Sequence, residues 1–347
     1  MRKYLPACGV YQTDIGRRYI PNAQLASDMP RDDPSRLPFC SVIVPTRDRP
    51  GALAACLDSL ERLDYPRDRF EVLVADDGSR TPVAPRFEAR RDRLDLRILT
   101  QPPRNNAAAR NCAAREARGE LLVFVDDDCV VEARWLRALA ERSLAEPGAG
   151  IGGHSFNGLR SNPYATAAQL IVDMGYVWSN ADKRSVRFLA SNNLALPAGR
   201  FRTLGGFDES FARSADRDLV DRWRAAGFPL VYESGAVAAH CQQLDLSGFV
   251  RKHFANGHAV WAFHRARRAR GGGQIRPEPG YYAALLRRAA HQSPRTAALV
   301  FLAVAANYAG YARAALTSSG GAPPPTTAPP RRSPSPSRSE TRRREAR

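Results

Sequence analysis

Residues 121–130 read LLVFVDDDCV: five apolar side chains, then Asp126, Asp127 and Asp128 in a row. A continuous apolar run of this length is a buried strand. Three adjacent carboxylates at its tip repel one another and are costly unless something cationic sits among them. The stretch therefore poses both the question of the fold and that of the chemistry.

Working outward, the neighbouring segments alternate strand and helix. SVIVP (41–45) is a short β-rich run, and PGALAACLDSLERL (50–63) sets Leu53, Leu57 and Leu60 on one helical face. FEVLVADD (70–77) and LDLRILT (94–100) are two further strands. NNAAARNCAAREARG (105–119) is an alanine-rich helix that stops at Gly119, and EARWLRALAERSLAEPG (132–148) is the helix after the acidic strand. Near-continuous apolar strands separated by helices predict an α/β fold, a mostly parallel sheet covered on both faces. Ligands in such sheets bind beyond the carboxyl ends of the strands. Two strands end there in acids, Asp76-Asp77 and Asp126 to Asp128. No G-x-G-x-x-G follows any strand, and the triple glycine at 271–273 lies in a basic linker, so a dinucleotide fingerprint is excluded.

Farther on, VRFLASNNLAL (186–196) reads as a strand and PAGRFRTL (197–204) as a short helix. DRDLVDRWRAAG (216–227) is an amphipathic helix with Leu219, Val220 and Trp223 inward, and PLVYESGAVAAH (229–240) a returning strand. The chain divides into an irregular lead (1–38), an α/β domain (39–246), a basic helical extension (247–316) and a Pro/Ser/Arg-rich tail (317–347) with the composition of a disordered segment.

Hard carboxylate oxygens without a thiolate or imidazole cluster favour Mg²⁺ or Mn²⁺ over zinc. Mg²⁺ completes its shell with water and substrate phosphates, so the acids imply a metal and the metal a phosphorylated ligand. A helix cap would account for Asp128 alone. Asp76-Asp77-Gly78 is also a common turn sequence, but its place on the same rim points to ligand contact.

The motifs SVIVPTRDRP, VLVADDGS, AAARN, FVDDDC and GGFDESF followed by DRDLVDRW occur in that order from Cys40 to His240, and together they resemble family 2 glycosyltransferases. The resemblance implies a GT-A fold, a nucleotide-sugar donor (a UDP-sugar first), a divalent metal and inversion at the anomeric carbon. It implies that Pro45, Arg47 and Asp77 contact the nucleoside and that Arg110 and Asn111 line the nucleotide pocket. Asp126 and Asp128 bracket a D-x-D motif for ribose and metal-bound diphosphate, with Asp127 among the donor-binding acids. His240 would complete the metal shell beside Asp126 and Asp128. Asp216 corresponds to the general base, although Ala215 stands where the family has Glu, and Asp218 lies close enough to compete. Asn192 and Asn193 match a polar stretch near the acceptor.

The chain is basic, with 52 Lys+Arg against 35 Asp+Glu, a formal charge of +17 of which the tail from Thr317 carries +5. Such a balance calls for anionic partners. For residues 247–316 the competing readings are nucleic acid, a peripheral membrane contact, and a helix that simply packs on the catalytic domain. No nucleic-acid motif is present. Membrane contact ranks first because many members of the family act on lipid-linked or cell-envelope acceptors; AALVFLAVAANYA (297–309) falls short of the ~20 residues that span a bilayer. Six scattered cysteines without a Cys-x-x-Cys pair, and no apolar stretch after MRKYLPACGV, give the expectation of reduced thiols and a cytoplasmic enzyme at the inner face of the membrane. The reading from another class is a non-catalytic polyanion- or membrane-binding protein on a decayed transferase scaffold.

Overall fold

A computed structural model describes residues 36–180, 186–273 and 278–317. Most of the expected lead, the Arg-rich tail and Cys8 lie outside the described residues. The first half alternates as the sequence predicts: β1 (Cys40–Thr46), α1 (Pro50–Leu60), β2 (Phe70–Asp76), β3 (Leu96–Thr100), α2 (Asn106–Glu116) and β4 (Leu121–Val125). After it come β5 (Cys129–Val131), α3 (Trp135–Ala145), β6 (Gly150–Asn157), α4 (Pro163–Ser179), β7 (Asn193–Pro197), α5 (Ala198–Thr203), α6 (Ala215–Ala225) and β8 (Leu230–His240). No motif announces β5, β6 or α4.

The strands form one eight-stranded mixed sheet in the order β3-β2-β1-β4-β7-β6-β8-β5. The pairings among β3, β2, β1 and β4 are parallel, whereas β7 runs antiparallel to both β4 and β6. Side chains alternate across the sheet with the period of two that a pleated strand imposes. Val42, Val44, Val72, Val74 and Val123 face α1 and α3 through Leu53, Leu57, Leu136 and Leu139. Ile43, Leu73, Leu122 and Phe124 face the alanines of α2 and the Leu219, Val220 and Trp223 stripe of α6.

The stretch 186–196 is a strand only in its last residues. The Asn180 side chain takes the N–H groups of Arg187 and Phe188 (2.7 and 3.0 Å) and donates to the Phe188 carbonyl at 2.9 Å. Backbone groups satisfied by a side chain need no ladder, so residues 186–192 form a connecting loop.

The basic extension consists of α7 (Leu246–Ala269), α8 (Pro279–Gln292) and α9 (Pro294–Thr317), and it is no detached appendage. Phe263 of α7 is buried in the α6 side of the core. Arg270 and Arg267 pair with Asp218 and Asp221 of α6. Phe249, Leu170, Leu285, Val300 and Ala303 form a separate helical core. α7 and α9 cross at backbone contact, because a Cβ on Gly257 or Gly310 would run into the carbonyl oxygen of Asn307 or Phe254. α9 is 24 residues, long and apolar enough to cross a membrane by length and composition. One of its faces is packed, and the other leaves Phe301 and Tyr308 exposed.

Candidate active site

The parallel register of β1, β2 and β4 brings three strand ends to one rim. Thr46 pairs with Asp76 across β1–β2, and Ile43 with Phe124 across β1–β4. Three residues farther along, Thr46 therefore stands opposite Asp127, and its hydroxyl donates to Asp127 Oδ2 at 2.7 Å. Asp127 is fully buried, and Arg49 lies 2.6 Å from its Oδ1. Burial pushes its carboxyl up to about 7, against the pull of Arg49 and Thr46 and reinforced by the charges of Asp128 and Asp126.

Asp48, between Arg47 and Arg49, has φ +54°. This left-handed backbone is tolerated by Asp, and it turns the two arginines onto different acids. Arg47 lies 3.8 Å from Asp77 Oδ2, and Arg49 spans Asp127 and Asp128. Asp77 Oδ1 accepts from the Gln101 side chain (2.8 Å) and the Arg104 N–H (2.9 Å). Pro45 is buried within β1.

Arg110 and Asn111 sit side by side on α2 but do different things. Arg110 is buried, lies over the Phe207 ring at 5.6 Å and donates to Asp126 Oδ1 at 2.5 Å. Asn111 clasps the 205–211 loop, accepting from the Phe207 N–H (2.9 Å) and donating to the Phe207 carbonyl (2.8 Å) and to Glu209 (3.0 Å).

β5 runs antiparallel to β8 with Cys129 opposite His240, and this register sets His240 against Asp128. Asp128 Oδ1 and His240 Nε2 face each other at 3.3 Å, and both atoms are buried in a geometry that leaves neither with a hydrogen bond. A carboxylate oxygen and an imidazole nitrogen so disposed fit a divalent cation. Burial raises the Asp128 carboxyl, but His240, Arg49 and Lys252 outweigh it and hold the group down at about 2. Cys129 Sγ lies within 4.8 Å of the same atoms, yet complete burial pushes its thiol well above the ordinary range, so it stays protonated and is no hard-metal ligand.

Asp216 lies in the first turn of α6, just after Ser214, whose φ of +61° is left-handed without glycine. Its carboxylate accepts from the Ser191 N–H at 3.3 Å. The next residue, Asn192, reaches His240 Nδ1 at 3.4 Å. Asp216 is thus tied to the acid rim through a two-residue span of the 186–192 loop. Asp218 is fully buried, held by Arg222 and Arg270 at 2.8 Å each. Asn193 is buried within the sheet, accepting from Trp135 Nε1 (2.9 Å) and donating to the His154 and Ala236 carbonyls. Asn192, not Asn193, borders the site.

The sequence profile of glycosyl transferase family 2 matches residues 41–198, which carry Asp77 and the aspartate trio. Residues 41–198 form a family 2 glycosyltransferase domain. It is 26% identical over 239 residues to glycosyltransferase AglE of Haloferax volcanii, covering 67% of this chain and 77% of that protein. It is 28% identical over 261 residues to validoxylamine A glucosyltransferase of Streptomyces hygroscopicus subsp. jinggangensis, covering 63% of this chain and 62% of that one. Among solved structures it resembles the mannosyltransferase PcManGT from Pyrobaculum calidifontis in complex with GDP-Man and Mn²⁺. The TM-score is 0.55 at 22% identity, over 84% of this chain and 78% of that one. It also resembles S. aureus TarS 1–349 in complex with UDP-GlcNAc (TM-score 0.50, 18% identity, 78% and 89% covered). These likenesses establish a GT-A glycosyltransferase fold.

Thr46 and Arg49 lie inside SVIVPTRDRP without being singled out by it, and Gln101 reaches Asp77 with no motif to signal it. The run TRDRP offers two arginines, but only the turn at Asp48 decides which acid each meets.

Proposed function

We propose that this chain is an inverting, divalent-metal-dependent glycosyltransferase that moves a sugar from a nucleoside-diphosphate sugar to an acceptor hydroxyl. The observation that carries the proposal is the buried, unsatisfied pair Asp128 Oδ1 and His240 Nε2 on the rim that holds Asp77. Asp128 and His240, with Asp126 alongside, would hold Mn²⁺ or Mg²⁺. When bound, such an ion neutralises charge building on a departing diphosphate. PcManGT, bound to GDP-Man and Mn²⁺, supports that choice of cofactor.

The chain's own groups divide the remaining work. Asp77, fixed by Gln101 and Arg104, accepts from the base or ribose of the nucleotide, with Arg47 beside it. Arg110 orients Asp126. Arg49 and Thr46 hold the buried Asp127 so that it supports the rim from beneath. Asp216 takes the proton of the acceptor hydroxyl as that oxygen attacks the face of the sugar opposite the diphosphate. Asp218 cannot compete, since Arg222 and Arg270 occupy its carboxylate.

A saccharide or lipid-linked acceptor, met at the inner face of the membrane, agrees with the basic balance of the chain and the exposed Phe301 and Tyr308 on α9. Calorimetry with UDP and GDP, with and without Mn²⁺, tests the donor reading. Metal-dependent micromolar binding is expected, and binding of neither diphosphate would favour a decayed scaffold.

A further inference from the structure

α7 turns one face toward the acid rim. Lys252 and Asn256, four residues apart, share that face. Asn256 accepts from Arg213 at 3.3 Å, and Lys252 donates to Gln242, two residues beyond His240. Arg213 comes from the loop whose left-handed Ser214 leads into the Asp216 helix. Nearby arginines are spoken for: Arg49 by Asp127 and Asp128, Arg110 by Asp126, Arg104 by Glu209. Among the described residues, no carboxylate lies within ion-pair distance of Lys252 or Arg213; each pairs with a neutral amide, Gln242 or Asn256.

Two cations crowded together without a counter-ion cost free energy that an arriving anion would recover. Burial lowers Lys252 to about 8, Arg213 adds to that effect, and Asp128 and Asp126 oppose it, so Lys252 lies within electrostatic reach of both rim acids. Beside it, His253 is brought down to about 4 by burial and these two cations, and its ring stays neutral.

We infer that Lys252 and Arg213 form a cationic wall that receives the diphosphate of the nucleotide donor, so that the C-terminal helical extension completes the donor site. The inference rests on the donor reading above and deepens it. The diphosphate is the fitting anion because Lys252 bonds Gln242, whose neighbour Cys241 donates its N–H to the Asp128 carbonyl at 2.7 Å, which sets the lysine beside the acids assigned to a metal-bound diphosphate. As the sugar leaves, negative charge grows on the diphosphate, and fixed cations stabilise it without reorganising.

The test compares wild type with Lys252→Met and Arg213→Met, titrating UDP, GDP, uridine and guanosine in the presence of Mn²⁺. The expected result is diphosphate affinity weakened about 10–100-fold in each variant, with nucleoside affinity unchanged. Lys252→Arg should recover most of the loss, which a purely structural role would not allow. Unchanged diphosphate affinity in both Met variants overturns the inference. So does a rise in acceptor KM alone, which would assign the cations to an anionic acceptor. If wild type binds neither diphosphate, the donor reading itself falls, and the two failures are told apart.

Discussion

Asp128 and His240 are 112 positions apart in sequence, yet Asp128 Oδ1 and His240 Nε2 stand 3.3 Å from each other because β5 and β8 pair with Cys129 opposite His240. They face only each other and neither has a further hydrogen-bond partner, so both are available to a cation placed between them. Asp128→Asn and His240→Ala should each weaken Mn²⁺ binding by at least about tenfold. Titration of Mn²⁺ followed by its paramagnetic resonance checks this; unchanged affinity in both would remove the metal site.

Asp216 is the acid left available at the start of α6, since Asp218 is sealed by two arginines. Asp216→Asn should lower kcat by ~10²–10⁴-fold, the usual worth of a positioned base. Nucleotide and metal affinity should stay near wild type. Normal sugar turnover in that variant would move the base elsewhere.

Arg49 neutralises a fully buried carboxylate. Its removal drives that carboxyl, already raised to about 7, toward the protonated form, so folding must take up a proton at neutral pH; Arg49 is half open to water, which reduces the penalty. Arg49→Ala should destabilise by on the order of 1–3 kcal/mol. Adding Asp127→Asn keeps an acceptor for Thr46 while removing the charge, so the double variant should regain most of the lost Tm. A double variant no better than the single would contradict the pairing.

The α7–α9 crossing depends on glycine. Gly310→Ala places a methyl against the Phe254 carbonyl oxygen, where neither helix backbone can yield cheaply. A loss of about 1–3 kcal/mol is expected from overpacking, read as a lower Tm. Lys252 sits on α7, two residues before Phe254, so diphosphate affinity should weaken in parallel.

Asp173 is raised to about 6, by burial first, with Gln169 and Arg288 pulling the other way. An unfolded chain releases this proton near pH 4 and the folded one near 6, so stability falls as pH rises through that window. Asp173→Asn should raise stability near neutral pH by on the order of 1–3 kcal/mol, with the gain vanishing below about pH 4. Thermal melts at the two pH values decide; an equal gain at both would show that the charge is not the cause.

Legibility was greatest where the physics is local. The continuous apolar runs at β1, β2 and β4 predict buried parallel strands, and Gly227 (φ +75°) marks a helix end at short range; Gly119 does not, since its helix stops at Glu116 with an extended Ala117 and the glycine instead allows close approach to Ser41. Residues 186–190 look like a strand for the same local reasons, and they fail because the side chain of Asn180, outside the run, binds the backbone of Arg187 and Phe188. β5 is three residues long and has no periodic signal; its existence is settled by β8 alone.

By itself the sequence determined the sheet's first half, the rim on which the acids gather and the resemblance to family 2 glycosyltransferases, since each is carried by short runs of neighbours along the chain. Only the tertiary structure decided which acid is buried under Arg49, which aspartate of α6 stays open, and that α7 brings a lysine beside the same rim. Those assignments depend on which charges meet across long sequence separations, and burial, which sets the cost of each charge, exists only once the chain has folded.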